Sequence, residues 1–198
     1  MEDSLRIKDP FRSAMVALRP FEPEDAPALQ DYINHPELIG RRYLPGEAPA
    51  EAPLARQQVE AALRHWMEAE RDLHLAVTLA ADGALVGHAF LEQDWDPLSP
   101  SVALVIASQH QRRGLGSQVL GLLLAYLFDY TPAHNINSWV ADWNTSGQQF
   151  LLHHGFQPAG RVRRVGLRQG RFTDDLVFDL LRPEWLARQD GGSHAAGR

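Results

Sequence analysis

The chain has 198 residues, of which 44% are hydrophobic, and its 19 basic and 25 acidic residues give a formal net charge of −6. This length and apolar content are typical of one globular domain with a sizeable core. The absence of cysteine excludes a disulfide framework, a thiol nucleophile and a thiolate metal site. The negative charge argues against nucleic acid as the main partner and suits a cationic one.

No segment of the sequence predicts a targeting or membrane function. The first ten residues are polar and charged, unlike a signal peptide. The longest apolar run, residues 119–128, is too short to span a bilayer. We therefore expect a soluble cytoplasmic protein that makes no membrane contact.

Apolar periodicity and turn signals predict an alternation of strands and helices along the chain. A proline and three acids at residues 22–25 mark the start of the first helix, and Val59, Leu63, Trp66 and Met67 share one face of the second. Strands are predicted at residues 16–19, 73–79, 85–93, 102–107, 137–141, 161–167 and 172–180. Helices are predicted from residue 22 to about 34 and at 54–70, 118–130 and 146–153.

Two glycine turns, Asp82-Gly83 and Gln169-Gly170, predict hairpins, and residues 102–107 are apolar on both faces, as in a central strand. This mixture of hairpins and crossovers predicts an α/β (α+β) domain built on a single sheet with helices on its faces. Residues 15–188 are assigned to the domain, residues 1–14 to an N-terminal extension, and residues 189–198 to a flexible tail, because that tail is small, polar and rich in Gly and Ala. Residues 45–53 and 94–100 are predicted loops.

The most informative stretch is the heptad Gln111-Arg112-Arg113-Gly114-Leu115-Gly116-Ser117, between a predicted strand and a predicted helix. Its glycines allow a tight turn and close approach of a ligand, while the following helix offers unpaired N–H groups and the positive end of its dipole. The backbone N–H groups of residues 112–117 therefore predict a phosphate or pyrophosphate site, to which the two arginines add charge. The spacing matches neither a P-loop nor a dinucleotide fingerprint, since Val119 stands where the latter needs its third glycine.

The heptad resembles Q/R-x-x-G-x-G/A, the acyl-CoA signature of the GNAT superfamily of N-acetyltransferases. Further resemblances follow in the family's order from about residue 16 to residue 185: an opening strand and helix start at 15–25, a third strand at 85–89, and Asn144 followed eleven residues later by Gly155-Phe156. Residues 173–178 and 183–185 resemble the close of the branch that acetylates ribosomal-protein amino termini.

The resemblance implies a mostly antiparallel mixed sheet of about seven strands, a splayed central strand pair, and acetyl-CoA as cosubstrate with no metal. The cofactor-binding residues that it implies, together with the anion loop, are Val105, Ile106, Ala107, Gln111, Arg112, Arg113, Gly114, Leu115, Gly116, Ser117 and Asn144. The backbone of residues 105–107 is expected to pair with the pantetheine arm. Asn144 is expected to contact the same arm, to cap the helix that follows it, or to do both.

The implied reaction is direct attack of an amine on the acetyl thioester in a ternary complex. The chain departs from the family at both usual acid and base positions, where it has Leu151 instead of a tyrosine and Ser101 instead of a glutamate. Glu92, Asp94 and Asp96 are the remaining carboxylates near the expected site, and a water chain to Glu92 or Ser101 is the preferred proton route. His153 and His154 point about 100° apart on a helix and are not expected to share a metal ion.

The acceptor remains open at this level: a protein amino-terminal α-amine, a polyamine or another small amine all fit. A CoA-binding sensor or scaffold without turnover is the alternative function, because Leu151 and Ser101 replace the usual acid and base. Nucleic acid is not expected as a partner, and a homodimer is possible. Five arginines of the last hairpin, at positions 161, 163, 164, 168 and 171, are interpreted as a solvated face because no aromatic residues interleave with them.

Residues from the helix-rich first part of the chain are candidates for shaping the acceptor pocket. They are Tyr32, Arg41, Arg42, Tyr43 and Trp66. For Trp66, the helical spacing favours a role in the core.

Overall fold

A computed structural model describes residues 9–38, 53–93 and 96–195 of the chain, with side chains described up to residue 189. Seven strands form one sheet: Val16–Pro20 (β1), Leu73–Leu79 (β2), Leu85–Glu92 (β3), Ser101–Ile106 (β4), Asn135–Ala141 (β5), Gln157–Arg168 (β6) and Arg171–Leu181 (β7). The helices are Ala26–Ile33 (α1), Arg56–Met67 (α2), Leu115–Tyr130 (α3), Thr145–His153 (α4) and Arg182–Ala195 (α5).

The strands lie in the order β1-β2-β3-β4-β5-β7-β6, and every neighbouring pair is antiparallel except β4 and β5. The parallel pair follows from the crossover through α3, which returns the chain to the same end of the sheet. The predicted single mixed sheet, mostly antiparallel and covered by helices on both faces, is therefore confirmed.

The two parallel strands share one paired position. Ser101 of β4 is paired with Asn137 of β5, and no other pair connects these strands within the described residues. One residue further on, the Ser138 hydroxyl donates to the Val102 carbonyl at 2.9 Å. Beyond this contact, β4 runs on to Ile106 and β5 to Ala141 without further pairing, so the sheet opens toward the carboxyl ends of both strands. The splayed central strand pair that the resemblance implies is present.

The sheet separates two hydrophobic cores. On one face, called here the α3 face, buried residues of α3 pack on the sheet together with Leu151 of α4, and Trp185 of α5 meets Phe128 with ring centroids 5.4 Å apart. On the other, the α1 face, α1 and α2 cover β2, β3 and β4. Among the described residues, these helices end their cover at β4, and the α1 face of β5, β7 and β6 is only partly buried, with Trp139 49% accessible.

Most predicted elements are confirmed, but α5 was not predicted as a helix, β6 begins four residues before its predicted start, and several helix ends differ. Met67, predicted to share a face with Val59, Leu63 and Trp66, is 45% exposed although it lies only about 40° around the helix from buried Leu63; it is the last helical residue. α3 begins at Leu115, three residues before the predicted start, because Gly114 serves as its N-cap. The backbone of α5 continues to Ala195, where a flexible tail from residue 189 was expected.

Part of the predicted N-terminal extension lies against the domain. The Phe11 carbonyl accepts a hydrogen bond from the Leu18 N–H at 2.8 Å, and the Phe11 ring lies 4.8 Å from that of Tyr126 in α3. Most of the loop predicted over residues 45–53 lies outside the described residues, as does Asp94. The boundaries proposed for the domain stay a prediction.

Candidate active site

The glycine-rich loop leads from β4 into α3 with the geometry that an anion site needs. Gly114, the N-cap of α3, has a φ of +80°, and Arg112 also lies in the left-handed region at +58°. A Cβ placed on Gly114 would meet no atom within 4 Å. The loop is held from behind by Gln111, whose Nε2 donates to the Ile106 carbonyl at 2.8 Å. The first-turn N–H groups of α3 therefore face an open approach.

Helix α4 packs against this first turn of α3. The Phe150 ring lies 3.5 Å from the position that a Cβ of Gly116 would take, and the Ser117 hydroxyl lies 3.0 Å from Nε2 of His154. At the other end of α4, Asn144 is the N-cap and its Oδ1 accepts the Gly147 N–H at 3.2 Å. The capping role expected for Asn144 is confirmed, whereas a contact with the pantetheine arm stays a prediction.

The gap between β4 and β5 leaves backbone groups of β4 without a strand partner on that side. The Ala107 N–H donates to the Val86 carbonyl at 2.8 Å, so the alternation of an antiparallel ladder turns Ala107 and Val105 toward β3. Leu104 and Ile106 then direct their backbone groups into the gap. Of the three strand residues predicted to bind the cofactor, Ile106 has this orientation, and Leu104 is a candidate that the sequence did not indicate.

A row of polar residues crosses the α1 face where the gap closes. Strand register places Glu92 of β3 opposite Ser101, Ser101 opposite Asn137 of β5, and Asn137 opposite Asp179 of β7. Paired residues share a face, so these four side chains lie on the α1 face, with strands about 4.8 Å apart. The two predicted catalytic candidates, Glu92 and Ser101, are therefore neighbours at the vertex of the splay.

Asn137 and Asp179 extend this row and were not identified from the sequence. Asn137 donates through Nδ2 to the hydroxyl of Ser99 at 2.8 Å, which ties β5 to the loop before β4. Burial raises the pKa of Asp179, and the nearby Glu184 carboxylate raises it further. Asp179 is consequently a carboxylate that accepts a proton more readily than an ordinary one. Its place in the row depends on strand register, which no local motif of the sequence reports.

Leu151 does not point toward this row. It is 5% exposed and belongs to the core on the α3 face. The family's tyrosine position is thus filled here by a core residue, and its side chain lies on the opposite face from Glu92 and Ser101.

The candidate pocket residues of the helix-rich segment form a buried aromatic cluster. Tyr32 is 4% exposed, and its hydroxyl lies 2.7 Å from Nδ1 of the fully buried His88. Trp66, 3% exposed, stacks on His74 and packs edge-on against Phe90. The core role of Trp66 is confirmed, while Arg41, Arg42 and Tyr43 lie outside the described residues.

Arginines on the β6–β7 hairpin are more organised than the sequence predicted. The Arg168 guanidinium lies 3.8 Å from the ring centroid of Trp143, and Arg164 lies 5.5 Å from that of Phe172. Arg161 pairs with Asp174. The expectation that no aromatic residues interleave with these arginines is wrong, because Trp143 comes from another part of the chain and Phe172 from the facing strand.

Within the described residues, no three His, Asp or Glu side chains are grouped so that they could hold a metal ion. In the same part of the chain, no helix combines the length and the apolarity that crossing a bilayer requires.

Comparison with known proteins agrees with this geometry. The acetyltransferase (GNAT) domain model matches residues 16–157. The chain belongs to the GNAT family. Curated relatives include the uncharacterised N-acetyltransferase p20 of Bacillus licheniformis, which is 23% identical over 170 residues, covering 86% of this chain and 94% of p20.

Solved structures show the same GNAT fold. An acetyltransferase from Bacillus anthracis superimposes with a TM-score of 0.75 at 18% identity, covering 87% of this chain and 98% of the other. A spermidine/spermine N-acetyltransferase from Vibrio cholerae superimposes with a TM-score of 0.68 at 21% identity, covering 87% and 98%. At these identities the likeness establishes the fold, and the family and its relatives establish an acetyl-CoA-dependent N-acetyltransferase. Assignment to the ribosomal-protein branch stays a prediction.

Proposed function

We propose that this GNAT enzyme binds acetyl-CoA along the gap between β4 and β5 and acetylates a primary amine presented from the α1 face. The observation that carries this proposal is the single pairing of Ser101 with Asn137, which opens the sheet toward the glycine loop. The gap leads from the polar row at its vertex to the first turn of α3 at its mouth. One end suits an amine and its proton, and the other suits a pyrophosphate.

The residues of the chain fit the cosubstrate. The α3 N-terminus with Gly114 would offer N–H groups to the pyrophosphate. Leu104 and Ile106 turn backbone groups into the gap, where the pantetheine arm would lie, although the Ile106 carbonyl also accepts the Gln111 side chain. When bound, acetyl-CoA supplies an activated acetyl thioester. The protein would orient the acceptor amine beside it and would accept the amine proton at Glu92 through water, with Ser101 able to relay that proton, while CoA leaves as the thiolate. Direct attack requires no covalent enzyme intermediate.

The acceptor that we propose is an amino-terminal α-amine of a peptide or protein, or a small amine of similarly low pKa. The chain lacks the glutamate and the tyrosine that relatives use as base and acid, and Leu151 is part of the core. A polyamine is the second candidate, because the chain is acidic and a spermidine/spermine N-acetyltransferase shares its fold. A CoA-binding protein without turnover would consume no acetyl-CoA with any amine.

Calorimetry of CoA binding tests the proposed cofactor site. Gly114→Val places a branched side chain where the phosphates approach, and it should weaken CoA binding roughly tenfold or more, about 1.4 kcal/mol. Gly83→Val is the matched control, since Gly83 has a φ of +76° and an equally open Cβ position, but lies in the β2–β3 turn. Equal CoA affinity for the two folded variants would contradict the site.

Turnover is measured separately by acetyl-CoA consumption with a panel of amines. The panel contains peptides with a free α-amine, peptides with only a lysine amine, and spermidine. Consumption with the α-amine peptides would support the proposed acceptor. Strong consumption of acetyl-CoA with spermidine alone would show that the acceptor is a polyamine instead. Binding of CoA without consumption of acetyl-CoA with any amine would favour a CoA-binding sensor or scaffold.

A further inference from the structure

His154 lies behind the cofactor loop, although its sequence position gives no sign of a role there. It follows the last residue of α4, and its Nε2 is 3.0 Å from the hydroxyl of Ser117 in the first turn of α3. The ring of Phe150 packs beside it, with centroids 4.6 Å apart. Two elements thus fix the imidazole against a hydroxyl at the helix end where an anion is expected.

We propose that His154 is a positioning residue of the cofactor site, donating a hydrogen bond from Nε2 to Ser117 so that the serine hydroxyl donates to a phosphate oxygen of bound CoA. Because this role rests on the cofactor loop proposed above, it deepens that function and adds a residue to it. The Ser117 side chain is the third residue of α3, where a short hydroxyl can reach back toward a ligand at the helix N-terminus.

The direction of the two hydrogen bonds follows from a count of hydrogens. A serine hydroxyl has one hydrogen and two lone pairs. If it donates that hydrogen to a phosphate, it can only accept from His154, which must then carry a hydrogen on Nε2. A neutral imidazole with its hydrogen on Nδ1 would instead take the serine hydrogen and leave nothing for the phosphate. Anion binding therefore selects the forms of His154 that are protonated on Nε2, the cation among them.

The groups around His154 make its pKa sensitive to the binding of an anion. From α3 it faces neutral Ser117, from α5 it faces Arg188, and from its own helix His153. Burial lowers the pKa of His154, and His153 and Arg188 lower it further. An arriving phosphate brings negative charge to a group surrounded by positive or neutral neighbours, so binding should raise that pKa toward the ordinary value of about 6.5.

Coupled protonation predicts a pH dependence of cofactor affinity. A ligand that raises the pKa of a group binds the protonated protein more tightly, so affinity rises as pH falls. Dephospho-CoA is the probe, since it lacks the phosphate monoester of CoA, whose own second pKa near 6 would titrate in the same range. We expect its affinity to increase roughly fivefold between about pH 8 and pH 5.5, because the protonated form of His154 is favoured in the complex.

Two variants test whether His154 causes the pH dependence of dephospho-CoA affinity. His154→Gln keeps an N–H donor for Ser117 and cannot titrate, so its affinity should match the wild type at pH 8 and stay nearly constant down to pH 5.5. His65→Gln is the matched control, because it removes an exposed histidine of α2, on the opposite face of the sheet from His154, and should keep the wild-type slope. An unchanged pH slope in His154→Gln would overturn the role of His154.

NMR titration of the wild-type imidazoles gives a readout that depends on no variant. The His154 pKa should rise when dephospho-CoA is added. An unshifted or lowered His154 pKa in a protein that binds the probe would overturn the inference and leave the cofactor loop intact. A wild-type protein that binds no dephospho-CoA at either pH would overturn the loop itself and, with it, the role of His154.

Discussion

Asp174 connects an irregular segment of the edge strand β6 to its neighbour β7. The pairing of these strands skips between Val162 and Gly166, and Arg164, inside the skipped segment, has a φ of +56°. Asp174 is buried, accepts the Arg164 N–H through Oδ1 at 2.8 Å and pairs with Arg161 through Oδ2. One carboxylate thus accepts a backbone hydrogen bond from a bulged segment that the strand ladder leaves unpaired.

The pH dependence of stability tests this role. The hydrogen bond from the Arg164 N–H and that from Arg161 lower the pKa of Asp174, so the carboxylate stabilises the fold above its unfolded pKa of about 3.9. This contribution is lost as pH falls through the lower folded pKa. We expect Asp174→Asn to lower the Tm at pH 7, with a difference from the wild type that shrinks below about pH 4. A difference that stays constant down to pH 3 would show that packing, rather than charge, stabilises the bulge.

Glu92 of β3 and Ser101 of β4 lie opposite each other in the sheet. Variants of these two residues test whether they act in the chemical step rather than in CoA binding. Glu92→Gln removes a proton acceptor with little change in shape, so kcat should fall about a hundredfold, within the usual range for a general base, while CoA affinity stays unchanged. Ser101→Ala should lower kcat less, because a hydroxyl can only relay the proton. Glu68→Gln, at an exposed carboxylate beyond the end of α2, is the control. Wild-type kcat in Glu92→Gln would exclude Glu92 as the base.

The sequence predicts those site residues whose role depends on local structure and misses those whose role depends on contacts between distant parts of the chain. Asn144 and Gly114 stand beside helix starts, where residue type alone predicts a cap or a turn, and both do this in the structure. Asp179, Leu104 and His154 were missed because their placement depends on strand register or helix packing. Those contacts join residues that lie far apart in sequence, and no local spacing encodes them.

At the scale of elements, Gly87 shows how closely β3 and β4 approach. A Cβ on Gly87 would lie 2.2 Å from the Val105 carbonyl oxygen, which is backbone and cannot rotate away. The glycine is therefore required by contact with the strand that borders the cofactor gap, which explains why a strand otherwise rich in large apolar residues contains one.

Gly87→Ala should push β4 away from β3 and destabilise the domain. Overpacking of this kind costs about 2–3 kcal/mol, so the Tm should fall by about 5–10 °C in a protein of this size. Gly121→Ala is the matched control: Gly121 lies within α3 with no atom within 4 Å of a Cβ, and alanine there should leave the Tm unchanged or raise it. Thermal melts of both variants test this prediction. A Tm of Gly87→Ala equal to that of the wild type would contradict the close approach of β3 to β4.

Strands were predicted better than helix ends for a physical reason. Most strands have alternating or continuous apolar residues bounded by turns, and this pattern is local. The exception is β6, which is largely exposed and begins four residues before its predicted start. Helix ends depend on caps and on tertiary contacts. Glycine is unfavourable within a helix, yet Gly116 lies in the first turn of α3, where Phe150 of α4 packs beside it. Similarly, α5 continues past residue 189 although its composition predicts a tail.

At the scale of the molecule, the order of the strands gives the enzyme its two-ended site. A crossover through α3 makes β4 and β5 parallel, and their separation after one pair leaves the gap open toward the glycine loop. Composition and periodicity predicted a mixed sheet, but the splay was expected only from the family resemblance. Divergence of two strands is set by what packs on each face, and neither strand's own pattern reports it.

The choice of acceptor amine follows from proton energetics across the whole site. An amine must be neutral to attack, and α-amines, with pKa near 7.7–8.0, need less help than lysine-like amines near 10.4. The difference of roughly 2.5 units corresponds to about 3.4 kcal/mol of deprotonation cost. The bases available on the α1 face are the carboxylates Glu92 and Asp179, and even a carboxylate of raised pKa is a weak base for an alkylammonium ion.

The site should therefore acetylate α-amines with a higher kcat/KM than lysine amines. The ratio of the two kcat/KM values should become smaller as pH rises, because lysine amines then lose their protons without help from the enzyme. We would compare kcat/KM at pH 7 and pH 9 for matched peptides carrying only a free α-amine or only a lysine amine. A strong preference for lysine at pH 7 would refute this and point to a base stronger than either carboxylate.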